Sequence, residues 1–493
     1  MTPRPALSVN SFTNQPRLLF GLPISAWIVF VILLLFRLAT YLHTSFSFSG
    51  DGVSYMKTAI FIGKHRILPP LSIQPNGYGW LLAWFGVHED PTGALHRIGR
   101  FQQWLDFSVV LALCWLAKKI LVKTKPIFLI SAWAMILLQP FTGIWSRTIY
   151  TEQFVSFFSF AGFLTLSFFL FRGQRKRVAL LGMALAGASL GLASILRSDV
   201  LVLNTFLLAT LAIYLAFFAN GYLRWRRPKI IILLLSYVAI PLLMSSYQLA
   251  SSGQFGIFNN DRDHEGYFGW IRTWPATPAE YEVFAFFSQK DSWTVENFPA
   301  KAFDSEAEKK SFAAIMNKWK QRYFLAPSAE INAEFLQLTQ EKIKRHPFRH
   351  YIVNPIIRIS YYWWNTDGSQ FYTVPYALQR PTSTVAAGLI LAARLLLLIL
   401  FMVGIILGAC RPPFLQSTLQ SNDWISFFCI ISCAYVLVRT FELASLSSFM
   451  IAGLMELRFI SIAMPFFLVG ALLGTRLLTE KALLGLRLRD RAV

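Results

Sequence analysis

The chain has 493 residues, of which 55% are hydrophobic and only 14% charged, with a formal net charge of +21. Ordinary globular domains run at about 45–50% apolar and about 25% charged, so both fractions point toward a lipid environment. The positive charge is spread over short segments between apolar runs, not gathered on a soluble basic module. This excludes a nucleic-acid-binding protein and matches the positive-inside signature of membrane topology.

A membrane span needs roughly 20 apolar residues to cross about 30 Å of hydrocarbon. After a short polar tail, Phe20–Leu42 reads as span one, a retained signal-anchor too long for the core of a cleaved signal peptide. Residues 43–103 form a first external segment with Pro69-Pro70, a turn at Asn76-Gly77 and the aromatic run Tyr78–Phe85. Short amphipathic helices along the membrane surface are expected there. Spans two, three and four are expected at 105–121, 126–145 and 151–171. The stretch 178–218 splits at Arg197-Ser198-Asp199 into spans five and six around a tight external turn, and span seven covers 230–250.

Segment 251–380 is too polar to enter lipid, and its acidic and basic residues nearly balance. Ser305-x-x-Glu308 is a capping box, after which Phe312, Ile315, Met316, Trp319 and Tyr323 follow helical spacing. A second helix is expected from Ser328 to near Pro347, and Tyr351–Trp364 reads as an interfacial anchor. Spans eight, nine and ten are expected at 384–408, 424–440 and 459–475. The expected fold is an all-α polytopic membrane protein of about ten transmembrane helices. A transmembrane core (1–250) and C-terminal helices with a basic cytosolic tail (381–493) flank a mainly helical external domain (251–380) between spans seven and eight. Cys114, Cys410, Cys429 and Cys433 lie within or beside spans, so no disulfide framework holds the external domain.

Ionisable groups at membrane depth are costly, and each is a functional candidate. Asp51, Arg147, Glu152, Arg197, Asp199, Glu442, Glu456 and Arg458 all map to the external ends of spans, where they could ring one cavity. A carboxylate there suits proton abstraction from a hydroxyl, and arginines suit a phosphate leaving group. Arg100 and His96 fall on a surface helix within reach of lipid phosphates, whereas Arg37 and Arg394 are expected to snorkel to an interface. The run Asp261-Arg262-Asp263-His264-Glu265 has the spacing of neither a zinc nor a calcium site and reads as a solvated acidic turn. No Gly-rich phosphate loop suggests a nucleotide-sugar donor.

Asp51-Gly52-x-x-Tyr55, followed by Pro-rich sequence and Tyr78-Gly-Trp-Leu-Leu-Ala, resembles the first external loop of GT-C glycosyltransferases. Tyr150-Thr151-Glu152, Ile195-Leu196-Arg197 and Glu456-Leu-Arg458-Phe459 are similar to further stretches of that superfamily. The pattern is most similar to the bacterial branch related to protein mannosyltransferases and lipid A aminoarabinose transferases. It covers the order of spans over most of the chain, while 251–380 enters only through His346-Pro347 and the aromatic stretch after it.

The resemblance implies transfer of a sugar from a polyprenyl-phosphate-linked donor to an acceptor glycan, lipid or protein. Transfer would occur at the external face of a bacterial inner membrane, with inversion and among membrane lipids. It implies Asp51 as the catalytic base and Glu152 as a second acid that orients the acceptor or binds a divalent cation. Tyr55, Arg100, Arg197, Glu456 and Arg458 are the expected substrate contacts. Many relatives carry two adjacent acidic residues at this point, where this sequence has Gly52 after Asp51. Three other classes share the hydropathy. A transporter or lipid flippase would carry paired repeats, which the sequence lacks. A lipid-carrier-dependent glycan polymerase or ligase would rely on residues such as Arg345, His346, Arg349 and His350. A catalytically silent scaffold is the third.

Overall fold

The computed structural model describes residues 18–19, 22–42, 46, 51–71, 75–122, 124–138, 151–171, 176–217, 227–257, 265–274, 294–321, 329–364, 384–409, 423–445 and 462–489. Arg147, Glu456, Arg458 and 261–264 lie outside the described residues, as do the side chains of Asp51, Glu265 and Arg394.

Among the described residues, apart from a short antiparallel ribbon, β1 (Leu18–Leu19) with β2 (Leu22–Pro23), every regular element is helical. α1 (Ile24–Leu42) is followed by a pair of short helices, α2 (Asp51–His65) and α3 (Asn76–Ala83), which pack on each other. Then come α4 (Pro91–Ile120), α5 (Pro126–Leu138), α6 (Glu152–Phe171), α7 (Lys176–Leu196), α8 (Ser198–Phe217) and α9 (Arg227–Ser252). The polar segment contributes α10 (Glu265–Ile271), α11 (Glu306–Lys320), α12 (Ala329–Arg345) and α13 (Asn354–Trp364). The chain continues with α14 (Thr384–Ala409), α15 (Trp424–Ser445) and α16 (Met464–Arg489).

Among the described residues, five helices are long and apolar enough to cross a membrane: α1, α6, α7, α9 and α15. Shorter apolar helical stretches occupy Pro126–Leu138, Ser198–Tyr214 and Leu395–Leu407. Residues 105–120, where span two is expected, form the second half of α4, one continuous helix that also contains the expected surface helix and is not among those five. Pro91 occupies its first turn and the Asp90 side chain caps it by accepting from the Gly93 N–H.

α6 lies at the centre of the bundle, with 61% of its apolar window buried, while α1 sits at the rim with 17%. Among the described residues the most extensive helix pair is α7 with α9. A Cβ at Gly187 would overlap the Leu233 carbonyl, and one at Gly191 would crowd Tyr237 and Ile240, so this small-xxx-small seam lets the two backbones approach closely. Gly77 plays the same part at the start of α3, where a Cβ would overlap the Ile195 carbonyl. That contact seats α3 against the end of α7, which is where the charged side chains gather.

The polar segment has its own core, in which Trp270 stacks on Phe312 at 4.0 Å and Tyr267, Trp319 and Phe335 pack around them. Ser305 caps α11, but only half of the expected box forms. The Glu308 carboxylate accepts from the Asp304 N–H and turns inward to Lys342 at 2.6 Å and the Trp270 Nε1–H at 3.1 Å. A buried carboxylate needs such partners, and pairing with Lys342 meets more of that need than a reciprocal cap would. α13 then packs against α15.

Candidate functional site

The split at Arg197-Ser198-Asp199 forms as the sequence predicts: α7 stops at Leu196 and α8 starts at Ser198. Arg197, the single residue between them, is 9% exposed. Its Nε and Nη2 donate to the two carboxylate oxygens of Asp199, each at 3.0 Å, in a bidentate fork. Its Nη1 donates to Glu152 Oε1 at 2.6 Å and to Thr151 Oγ1 at 3.3 Å. Glu152 is the first residue of α6, where a carboxylate is favoured by the helix dipole, and it is 2% exposed.

The same Asp199 carboxylate also accepts from Arg439 Nη2 at 2.7 Å, and Arg439 Nη1 donates to Glu442 at 2.9 Å. Both residues lie on α15, one turn apart, and both are buried. The result is an alternating series, Glu152, Arg197, Asp199, Arg439 and Glu442, drawn from α6, the α7–α8 link, α8 and α15. Three carboxylates face two guanidiniums, so with all five ionised the series carries one net negative charge. Unpaired charges at such burial would be prohibitively costly, and alternation is what makes the cluster tenable.

α3 lays Tyr78 beside this series. The ring is fully buried, packs edge-on against Tyr55 of α2 at 4.9 Å, and touches Phe154 of α6 at 5.6 Å. Among the described residues its hydroxyl has no hydrogen-bond partner. Burial, followed by the nearby Glu152 charge, pushes the phenol well above its ordinary pKa, so Tyr78 stays neutral and can donate. Asp51 opens α2 one turn before Tyr55; its side chain is outside the described residues.

A second buried network adjoins the first through the next residue of α6. Asp106 of α4 accepts from Arg37 Nη2 at 2.6 Å and from the Tyr41 hydroxyl, while Gln153 Nε2 lies 3.5 Å from its other oxygen. Arg37 therefore does not snorkel as expected. A carboxylate reachable within the protein, with Arg37 Nε also donating to Tyr41 Oη at 2.9 Å, outcompetes the interface. Arg100 is exposed and donates to the Tyr41 carbonyl at 3.0 Å and to Gln103 at 3.1 Å, closing the C-terminal end of α1.

The structure thus brings together Glu152, Arg197, Asp199, Glu442 and Tyr55, and places Arg100 against the end of α1. Arg197 has at least four of its five N–H donors engaged within the protein, so it acts as a clamp on two carboxylates. Arg439 and Tyr78 are the members that the sequence reading missed. An arginine inside an apolar run was the available signal for the first. Among the described residues, no group of three His, Cys, Asp or Glu side chains could hold a metal ion. Glu152 and Asp199 are already neutralised by guanidiniums, an arrangement that does not fit a divalent cation.

No protein-family model and no curated protein matches the chain. Among solved structures, the chain is similar to the archaeal oligosaccharyltransferase AglB from Archaeoglobus fulgidus, in complex with an inhibitory peptide and a dolichol-phosphate. The TM-score is 0.42 and the identity 12%, over 95% of this chain and 52% of that one. The chain spans about half the length of that structure.

Proposed function

We propose that the chain is a membrane glycosyltransferase of the GT-C type, moving a sugar from a polyprenyl-phosphate donor to an acceptor hydroxyl at the external face. The observation that carries this reading is the alternating buried series of three carboxylates and two arginines beside the α2–α3 pair that Asp51 opens. Such a fixed set of charges in a water-poor setting stabilises developing charge without reorganising.

In this reading the acceptor O–H gives its proton to the Asp51 carboxylate. Its oxygen forms a bond to the anomeric carbon from the face opposite the phosphate, and the carbon–oxygen bond to the carrier breaks. The electron pair leaves with the polyprenyl phosphate, and the anomeric centre inverts. Glu152, held by Arg197, orients the acceptor, and Tyr78 donates its unpartnered hydroxyl to the reacting group. Because Arg197 is committed internally, Arg458, aided by Arg100, receives the departing phosphate. No step is assigned to a metal ion.

A second reading, a lipid-carrier-dependent glycan polymerase or ligase, has one observation in its favour. His350 lies on a π-helical turn, Arg349–Val353, and is pushed down to about 4 by burial and by the charges of Arg272, Arg358 and Arg349. That concentration of cations suits an anionic carrier.

The test is release of polyprenyl phosphate from sugar-charged carrier by the purified protein. Asp51→Asn abolishes release while membrane insertion and melting temperature stay unchanged. Undiminished release in that variant removes Asp51 from the mechanism. If Asp51→Asn is active and alanine at Arg349 and His350 is not, the second reading holds instead.

A further inference from the structure

α3 separates two sites. Tyr78 faces the buried charges, whereas Trp80 and Trp84, one turn apart on the opposite face, line a cleft of about 490 Å³. That volume falls within the range of about 300–1,000 Å³ typical of small-molecule sites. The cleft is completed by Arg66 at the end of α2, His88 and Glu89 in the turn after α3, and Tyr247 on α9. The two indoles meet edge-on at 5.3 Å, and Trp84 is 75% exposed, a large aromatic surface left open by the described residues.

Two local features mark the polar side of the cleft. Arg66 has φ 60°, a left-handed conformation that favours glycine and is rare for a long side chain. Arg66 ends α2 with its N–H on the Ile62 carbonyl at 2.8 Å, and Tyr247 Oη donates to the Arg66 carbonyl at 2.8 Å. Glycine would suit this backbone better, and arginine here adds a guanidinium to the rim of the cleft. His88, in turn, packs where only Gly63 permits, since a Cβ at 63 would overlap its ring. Its Nε2 lies 3.4 Å from Glu89, and its buried Nδ1 has no hydrogen-bond partner among the described residues.

The geometry points to this cleft as a carbohydrate-binding subsite, separate from the reaction centre, that takes a neutral saccharide of about two rings. Indole and phenol faces pack on the C–H faces of sugar rings, while a mixed set of Arg, His and Glu supplies donors and acceptors to hydroxyls in all directions. A site for an anion alone would have no use for Glu89. The subsite is filled by a sugar of the acceptor or of the growing product; that assignment of the occupant rests on the glycosyltransferase reading, but the binding itself does not.

The test is saturation-transfer NMR on the full detergent-purified chain with mannobiose, lactose and diacetylchitobiose, and with inorganic phosphate as competitor. At least one disaccharide gives a transfer signal that phosphate does not displace. Trp84→Ala weakens its affinity about tenfold, the loss expected for one buried aromatic contact, and Glu89→Gln weakens it as well. Trp84 is exposed, so its replacement leaves the melting temperature in place and the chain folded. Binding also persists in Asp51→Asn, so failure of sugar transfer and failure of the subsite are read separately. Absence of signal from all three disaccharides overturns the proposal, as does a signal that survives both substitutions. Displacement by phosphate overturns it in favour of an anion site.

Discussion

Asp199 and Arg439 are 240 residues apart in the chain, yet their side chains meet at 2.7 Å. Through that one contact α15 is electrostatically joined to the start of α8, and from there to α6. Arg439 is 1% exposed, so removing its charge strands Glu442 and half of Asp199's compensation in a dry interior.

Replacing Arg439 with Gln should therefore cost about 3–5 kcal/mol of stability, the usual penalty for breaking a buried ion pair from one side. Thermal unfolding in detergent is the measurement. A melting temperature within a degree of wild type would show that the pair contributes little.

Glu152→Gln keeps the volume and the start of α6 but removes the charge that Arg197 holds. Asp199 still satisfies the guanidinium, so the loss in stability should be small. Sugar transfer should fall about 10²-fold or more, the scale of a lost acid–base or electrostatic contribution. Comparing turnover with the unfolding midpoint of the same preparation separates the two effects.

Tyr78→Phe removes a buried hydroxyl that has no partner. An unsatisfied group of this kind costs about 1–3 kcal/mol, so the variant should be at least as stable as the parent. If the hydroxyl meets substrate, turnover drops while the melting temperature rises. A variant that is both more stable and fully active would assign Tyr78 to packing alone.

His350 gives a pH signature. In the folded chain its pKa lies near 4, against the ordinary 6.5, so the unfolded chain binds the proton first as pH falls. Stability should then rise with pH between about 4 and 6.5 and be fully present above that window. Allowing for solvent screening, this one group contributes on the order of 1–2 kcal/mol. Melting curves at pH 4.5 and 7.5 should differ less for His350→Gln than for the wild type, and an equal difference would discount the effect.

Much of this architecture is written in local sequence, because span ends and turns are local events. The break at Arg197, the start of α6 at Glu152 and the cap at Ser305 all depend on neighbours a few residues away. The continuity of α4 was equally local, through Asp90 and Pro91, but the polar residues around Arg100 and Asp106 obscured it. Pairings between helices are another matter. Arg37 meets Asp106 across 69 positions and Arg439 meets Asp199 across 240, and no spacing rule links them. Hydropathy locates a charge in a span; only packing shows whether it is answered by another charge or by the interface. The orphaned hydroxyl of Tyr78 was invisible for the same reason, since tyrosine in an aromatic run has no pattern that separates a buried phenol from an exposed one.

The pairing of Arg37 with Asp106 also bears on how the chain is assembled. α1 emerges from the ribosome well before α4, and most of its surface faces outward in the finished bundle. Until its carboxylate arrives, α1 holds an arginine whose placement in hydrocarbon costs about 2.5–3.5 kcal/mol on insertion scales. Docking of α4 on α1 is thus what lets this arginine sit inside the bundle, and a chain that lacked either partner would leave the other as an unanswered charge.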